Sequence, residues 1–485
     1  MTPRVHPLAG LCTIDEAMRP GLSVDECVRR LKRLHYSLRR LHGICNARIT
    51  AEPLHELKAA FSYHAYLCAE HVSALRARVG EMREPPLGLE EVPHPALEQL
   101  FDEVLAAPST AALVAGLYGC ALPAIAAALD RYDADTHPLA DAPSRRVCRF
   151  ARLEVGDMLA FGARALRALP TDDGGCSGIS GQGSPVRDQR SGISERDTWI
   201  ASLEACLSAA GGLDGCSESA TAAPPRRYSA VPYVYDKVPR RDGRFPDPYN
   251  MAVNAEAFIW DASKPAPPKL LMLFYKRLRE IDVPEMMASI IAETPGKPWA
   301  YYHDMSRQLW DEARHALMGE VGFAALGVDW PSLVRINFTW SLGLNTQLTP
   351  IERHAVLYFI EQGLMAKTGK RYEWEVAGDT GLPLARTLQD FDWADEVLHA
   401  RIGRQWYVSD MPSHVEALRY GDRCWSKVLV DWEQWRRDGL TAHENWWPAL
   451  YRAFCASRGE TPDPEVETFD VSYQTSRADL KPVAE

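Results

Sequence analysis

Apolar residues recur at intervals of three and four positions along most of the chain, which is the spacing of amphipathic α-helices. In the N-terminal half this pattern begins with Val24, Leu31 and Leu34 and continues to about Leu169, so it predicts about four helices. Alternating patterns of the kind that predict β-strands are scarce. We therefore expect an all-α protein whose N-terminal half is a helical bundle.

The C-terminal half shows the same periodicity, with helices predicted at residues 270–292, 299–326, 351–368, 383–407, 415–437 and 445–457. Pro284 lies inside the first of them and must bend or interrupt it, because proline cannot donate the backbone hydrogen bond. The connection over residues 327–350 is long for a loop within a bundle. It suits a crossover between two antiparallel helical hairpins, as in some four-helix bundles.

The composition changes between residues 171 and 230, where Gly and Ser are frequent and one short helix is predicted at residues 198–209. All 14 tryptophans lie at or beyond Trp199, so the two halves have cores of different character. The predicted organisation is an N-terminal helical domain (1–170), a Gly/Ser-rich linker (171–230) and a second helical domain (231–458). A polar tail (459–485), which we expect to be flexible, completes it.

Composition narrows the class of protein. An apolar fraction of 46% and a net charge of −11 describe a soluble globular protein and disfavour one built to grip nucleic acid. Eleven cysteines without a C-x-x-C spacing favour free thiols in a reducing cytoplasm. No signal sequence is evident, and we expect no stretch apolar and long enough to span a membrane.

The sequence Glu-x-x-His occurs four times, and on a helix it places a carboxylate and an imidazole on one face. Two occurrences, Glu52 to His55 and Glu91 to His94, enclose prolines, which assigns them to helix starts or loops. The other two lie inside long predicted helices and share a flanking Asp and Ala. They are Asp311-Glu312-Ala313-Arg314-His315-Ala316 and Asp395-Glu396-Val397-Leu398-His399-Ala400.

Two such turns would form half of a dinuclear metal site, which also needs one glutamate from each of two further helices. Glu361 precedes Glu396 by 35 residues and lies in an apolar helix. Glu280 precedes Glu312 by 32 residues, a nearly equal spacing, and is the favoured first ligand. Glu285 is the alternative, although it also completes a capping box that begins at Asp282.

Mixed carboxylate and imidazole ligands with open positions suit iron or manganese, whereas a structural zinc site would use thiolates. Asp311 and Asp395, beside the two motif glutamates, could accept hydrogen bonds from the ligand histidines. An equally acceptable interpretation makes them exposed helix charges that pair with Arg314 or Arg401.

The set of Glu280, Glu312 with His315, Glu361, and Glu396 with His399 resembles the ligand pattern of the ferritin-like di-iron carboxylate superfamily over residues 265–410. That superfamily includes ribonucleotide reductase small subunits, acyl desaturases, N-oxygenases and ferritins. The resemblance implies a four-helix bundle that holds two iron ions, with manganese or a mixed Mn/Fe pair as variants. It also implies an O₂-activating oxidoreductase: an oxygenase, desaturase or N-oxygenase acting on a small organic substrate.

An external electron donor is expected as a partner, because no flavin or nicotinamide fingerprint is present. The alternatives are a non-catalytic ferritin-like metal-binding or scaffold protein and, with less support, a tRNA-modifying hydroxylase. The N-terminal half contains no Glu-x-x-His within a helix, so we interpret it as a degenerate ferritin-like copy. A role of that copy in a homodimer stays open.

Overall fold

Helices form most of the described residues of the computed structural model, as the periodicity predicts. The described residues are 6–82, 88–169, 195–219, 222–337, 340–365, 369–429 and 432–473. Within these ranges every regular element is a helix and no β-strand occurs, which confirms the all-α class. The chain forms two units. Unit 1 comprises Met1–Ile44 and Leu67–Val234, and unit 2 comprises Cys45–Tyr66 and Tyr235–Glu485.

Unit 1 contains the N-terminal helices, although α2 and α3 continue into unit 2 through residues 45–66. A π-helical segment, Ala115–Ala121, joins α5 to α6. The helices are α1 (Ile14–Ala17), α2 (Val24–Ala51), α3 (His55–Met82), α4 (Pro95–Leu105), α5 (Thr110–Val114), α6 (Leu122–Asp135), α7 (Ala142–Ala168) and α8 (Glu195–Ala209).

Helix α8 lies within the segment that we expected to be a linker. Its side chains Trp199, Leu203 and Cys206 are buried, so it is a packed part of unit 1. The apolar spacing of these three residues places them on one face of the helix. Residues 171–194 of the expected linker lie outside the described residues.

The expectation that no stretch could span a membrane is wrong for Thr110–Asp135, because residues 110–129 carry no charge. This helical stretch is long and apolar enough by length and composition. However, 72% of its most apolar part is buried inside the protein. Core helices of soluble proteins have the same composition, and this stretch packs against α4, α7 and α8 of unit 1.

Besides the parts of α2 and α3 within residues 45–66, unit 2 contains thirteen helices in the described residues, and a π-helical turn, Trp340–Leu344, precedes α14. The helices are α9 (Ala255–Trp260), α10 (Ala266–Arg279), α11 (Asp282–Ala292), α12 (Trp299–Ala325), α13 (Trp330–Leu333), α14 (Asn345–Gln347), α15 (Pro350–Leu364), α16 (Lys370–Asp379), α17 (Pro383–Trp406), α18 (His414–Leu429), α19 (Trp432–Arg437), α20 (Trp447–Arg458) and α21 (Pro464–Glu467).

Pro284 interrupts the helix predicted at residues 270–292, as expected, and divides it into α10 and α11. Proline has no N–H to donate to the carbonyl of Glu280, four residues earlier. The Val283 amide donates to that carbonyl instead, at 3.1 Å, which tightens the chain at the break. Glu280 therefore stands between two helices rather than inside one.

Close contacts between helices fix the layout of unit 2. Helix α10 packs against α12, where Gly319 faces the α10 backbone so closely that a β-carbon would lie 2.3 Å from the Leu278 amide nitrogen. Helix α15 packs against α17, where a β-carbon on Gly403 would lie 2.3 Å from the Tyr358 ring. Helix α12 also contacts α17, so the two pairs adjoin.

Two further features of unit 2 were not expected. Helix α16, which the sequence pattern did not predict, packs against α10 and α17. In the segment after Gly459, expected to be a flexible tail, Val466 and Phe469 are buried and the Tyr473 amide donates to the Met251 carbonyl at 3.1 Å. Residues 474–485 lie outside the described residues.

Expected free thiols are also found. The ten cysteines among the described residues form no disulfide, and all except Cys216 are buried.

We predict that Gly319→Ala lowers the free energy of unfolding by about 1–3 kcal/mol, because the added methyl group forces α10 and α12 apart. Gly363→Ala is the matched control, since Gly363 is exposed in α15 and no atom lies within 4 Å of its β-carbon position. It should stabilise the helix by up to about 1 kcal/mol. Urea denaturation measures both, and equal midpoints would contradict the proposed close approach.

Candidate metal centre

Four segments of unit 2 bring the six predicted ligands together. The break between α10 and α11 supplies Glu280, and α15 supplies Glu361. The motif helices α12 and α17 each supply a glutamate and a histidine. Together with Asp392 of α17, these side chains form two clusters, and within each cluster the donor atoms lie within 4.8 Å of one another. Cluster A comprises Glu280, His315, Asp392 and Glu396, and cluster B comprises Glu312, Glu361 and His399.

The Nδ1 atom of each histidine faces the carboxylates of its cluster. In cluster A, His315 Nδ1 lies 3.2 Å from Glu280 Oε2 and 3.4 Å from Asp392 Oδ1. In cluster B, His399 Nδ1 lies 3.1 Å from Glu312 Oε1 and 3.8 Å from Glu361 Oε1. One imidazole and at least two carboxylates therefore converge in each cluster.

Two glutamates connect the clusters. Glu312 lies with its Oε1 atom 3.1 Å from His399 Nδ1 and its Oε2 atom 3.8 Å from His315 Nδ1. Glu396 belongs to cluster A, but its Oε2 atom lies 3.4 Å from His399 Nδ1. The two imidazole centroids are 5.9 Å apart. Glu312 and Glu396 thus lie between the two clusters.

Each of the six predicted ligands presents one buried polar atom that has no hydrogen-bond partner. Some of these atoms approach one another, yet not with hydrogen-bonding geometry. An unsatisfied buried polar atom destabilises a fold by about 1–3 kcal/mol, so six in one place need an explanation. Bound metal ions would satisfy them. The atoms are Glu280 Oε2, Glu312 Oε1, His315 Nδ1, Glu361 Oε2, Glu396 Oε2 and His399 Nδ1.

The motif aspartates contact the far nitrogen of each histidine, and they do so reciprocally. Asp395 Oδ2 lies 3.0 Å from His315 Nε2, and Asp311 Oδ2 lies 3.4 Å from His399 Nε2. Arg314 also donates to both aspartates, at 2.7 Å and 2.6 Å. The expected pairing with Arg314 is therefore present as well, but the aspartates are not exposed charges, because Asp311 is buried and Asp395 is largely covered.

The contacts set the charges of the cluster. Although burial opposes the charged form, contacts with Asp395, Glu280 and Glu312 raise the pKa of His315 to about 10. The pKa of His399 is likewise raised, by Asp311 and Glu312 against the effect of burial. Burial and the neighbouring Glu396 raise the pKa of Glu361 well above its usual range. A metal ion must displace these protons when it binds.

Cluster A contains cationic groups that sequence reasoning did not identify. Lys370 Nζ lies 2.8 Å from Glu396 Oε1, 2.9 Å from Asp392 Oδ1 and 3.5 Å from Glu280 Oε1. Arg277 Nη2 lies 2.9 Å from Glu280 Oε1, and its Nη1 pairs with Asp392. Burial lowers the pKa of Lys370, but the surrounding carboxylates raise it more, so the ammonium form is held.

Cluster B is built differently. The Gln308 amide donates to Glu361 Oε1 at 3.0 Å. Among the described residues, no lysine or arginine forms an ion pair with Glu312 or Glu361. Gln308 and Asp392 lie four residues before Glu312 and Glu396, on the same helical face, so extending each motif by one turn would have found both. No comparable signal marks Lys370, which enters on the unpredicted helix α16.

Glu285, the alternative first ligand, lies in neither cluster. It is buried beside Lys58 Nζ at 2.7 Å and Arg241 Nη2 at 2.8 Å, and it accepts a hydrogen bond from Ser341 at 2.7 Å. Its charge is thereby neutralised without a metal. The expected capping box is absent, because the Asp282 side chain also bonds Arg241 and Ser341.

The two discounted Glu-x-x-His sequences lie outside helix interiors. Glu52 and His55 flank the turn between α2 and α3, and His94 is the N-cap of α4. Within the described part of unit 1, no group of metal-ligating side chains resembles either cluster. His71 pairs with Glu154 there at 2.7 Å.

A scan against protein-family models, a search of curated proteins and a search of solved structures found no match to this chain. The resemblance to the ferritin-like superfamily therefore rests on the residues of the candidate site.

We predict that Glu361→Gln stabilises the metal-free protein at neutral pH. Because the folded pKa of Glu361 is raised above the usual 4.5, ionisation in the unfolded state reduces stability as the pH rises above that value. Each unit of pKa shift corresponds to about 1.4 kcal/mol. The stabilisation should vanish below pH 4.5, as measured by urea denaturation across pH.

Glu373→Gln is the control with the opposite sign. Glu373 is buried, and despite burial Lys276, Arg277 and Lys370 lower its pKa. Its contribution to stability is therefore present above the unfolded value and is lost as the pH falls below it. The control should be less stable than the wild type at neutral pH. A stabilised Glu373→Gln or a destabilised Glu361→Gln would contradict these charge assignments.

We also predict that Asp395→Asn and Asp311→Asn each weaken metal binding by about 10- to 100-fold, because the aspartates orient the ligand histidines. The number of ions bound at saturation should stay unchanged. Equilibrium dialysis against Mn²⁺ measures both quantities. Asp410→Asn is the control, because Asp410 is exposed at the surface and pairs with Lys297. Unaltered affinity in both variants would show that the Asp–His contacts do not support ligation.

Proposed function

We propose that unit 2 binds two metal ions and functions as an O₂-activating non-haem di-iron oxidoreductase that acts on a small organic substrate. The observation that carries this proposal is the convergence of six buried ligand atoms without hydrogen-bond partners. Four glutamates, Asp392 and two imidazoles form a donor set that suits iron or manganese. No thiol belongs to either cluster among the described residues.

In this proposal Glu280 and His315 hold one ion, and Glu361 and His399 hold the other. Glu312 and Glu396 lie between the two positions and serve both. The iron pair would supply the redox chemistry with O₂. Asp311 and Asp395 keep the Nε2 proton of each histidine on the outer side, so that the Nδ1 lone pairs face the ions.

The helical setting supports the ferritin-like resemblance. In that superfamily, each of two helices supplies Glu-x-x-His and each of two others supplies a glutamate. Here α12 and α17 supply the former, α15 and the end of α10 supply the latter, and these helices pack in pairs. The oxygenase, desaturase or N-oxygenase activity and the external electron donor follow from the resemblance.

We predict that anaerobic reconstitution with Fe²⁺ loads about two ions per chain, as the superfamily ligand pattern requires. Glu312→Ala and Glu396→Ala should each lower the metal content, because each removes a carboxylate placed to bridge the ions. Glu91→Ala is the control, since Glu91 belongs to a Glu-x-x-His sequence in an exposed turn. Elemental analysis gives the content.

The reduced, loaded protein should consume O₂ faster than the Glu312→Ala/Glu396→Ala double variant. Absence of about two ions per chain, or wild-type metal content in both single variants, would refute the dinuclear centre. If the protein binds the ions but consumes O₂ no faster than the double variant, the non-catalytic metal-binding alternative replaces the enzyme.

A further inference from the structure

The Lys370 side chain is fully buried, and its ammonium group contacts three of the four residues in cluster A. Lys370 is the first residue of α16, directly after Gly369. A β-carbon at Gly369 would lie 2.1 Å from the Leu364 carbonyl oxygen, so the chain can turn into α16 there only with glycine. The backbone turn at Gly369 thus places Lys370 beside the candidate centre.

The ammonium group contacts carboxylates that an ion in cluster A would use, although at Glu280 and Glu396 it lies against Oε1 and not against the unsatisfied Oε2. It lies at hydrogen-bond distance from both Asp392 oxygens, at 2.9 and 3.0 Å, and from Glu396 Oε1, at 2.8 Å. A divalent cation bound to these carboxylates would lie a few ångströms from a positive charge, in a core where such repulsion is screened weakly. The ion and the ammonium group therefore compete for Asp392 and Glu396.

Cluster B offers no such competition. Its carboxylates, Glu312 and Glu361, have no lysine or arginine partner among the described residues, and Gln308 is uncharged. The two clusters hence differ in resident charge although they use the same kinds of ligand.

We propose that Lys370 makes the two metal positions unequal: cluster B takes the first divalent ion, and cluster A fills only when the Lys370 ammonium group releases Asp392 and Glu396. This inference rests on the dinuclear centre proposed above. It identifies a residue that determines the order of metal loading.

A purely structural role would have Lys370 balance the buried carboxylates, as the neighbouring Lys276 does. Lys276 is also buried, and it pairs with Glu373 and with Glu256 at 3.4 Å. It forms no ion pair with any residue of cluster A or B among the described residues. Lys276 therefore provides a matched control that removes an equivalent buried charge without touching a candidate ligand.

The test is an anaerobic titration of the full chain with Mn²⁺ alone. Calorimetry and the electron paramagnetic resonance signal of free Mn²⁺ measure binding at each addition. The wild type should bind two ions with affinities that differ by about tenfold or more, a difference of about 1.4 kcal/mol. Lys370→Gln should strengthen the weaker step by about tenfold and so narrow the separation, while Arg277 still pairs with Glu280 and Asp392. Lys276→Gln should keep the wild-type separation.

Ligand variants assign the steps and keep the test decisive if Lys370→Gln does not fold. In the wild-type background, His399→Ala should abolish the tighter step and His315→Ala the weaker one. Lys370→Arg retains the positive charge and should retain the separation. Loss of the tighter step in His315→Ala, rather than in His399→Ala, overturns the proposal, and so does an unchanged affinity of the weaker step in a folded Lys370→Gln.

Two equal steps in the wild type would overturn the order of loading but leave the dinuclear centre standing. No binding at either position would instead refute the dinuclear centre itself, and the loading order with it. The two failures are therefore distinguishable in one titration.

Discussion

A buried carboxylate destabilises a protein core unless a cation, a proton or a hydrogen-bond donor compensates its charge. Unit 2 buries many of them, and the rest of its structure depends on how they are compensated. Lys370 and Arg277 pair with the carboxylates of cluster A, and burial beside Glu396 raises the pKa of Glu361 in cluster B. Each histidine lies between an aspartate and a glutamate. Glu285, five residues after Glu280, is neutralised by Lys58 and Arg241 instead.

This compensation divides the buried acids into two kinds. Glu285 and Glu373 meet basic side chains and have no need of a further ligand. The six candidate ligands contact one another and retain unsatisfied atoms, even though Glu280 and Glu396 also contact Lys370. The contrast separates carboxylates that basic side chains satisfy from a group of side chains that could hold metal ions, because in the second group six unsatisfied buried atoms lie together.

Much of the candidate centre could be predicted from sequence because it depends on local helical geometry. The spacing of Glu312 and His315 fixes their common face, and the distances to Glu280 and Glu361 follow from antiparallel helices. Pro284 likewise marked the helix break, because a missing N–H acts within one turn. The first residues of α12 and α17, Trp299 and Pro383, were also predictable, since turn residues precede both.

The rest depended on tertiary contacts that leave no periodic signal. Helix α16 is short and strongly charged, yet Lys370 and Glu373 are buried because their partners lie on α10 and α17. The apolar pattern is the guide to burial, so it misses residues that are buried as ion pairs. Packing of α8 into unit 1 was hidden in the same way by the Gly- and Ser-rich residues around it.

The reciprocal contacts of Asp311 with His399 and of Asp395 with His315 have a consequence for how this sequence can change over evolutionary time. Each motif supplies the aspartate that contacts the histidine of the other motif, so the two helices depend on each other for the placement of these side chains. A substitution of one aspartate removes the contact that orients the histidine on the opposite helix. Asp311 and Asp395 are therefore expected to be kept or lost as a pair, together with Arg314, which contacts both.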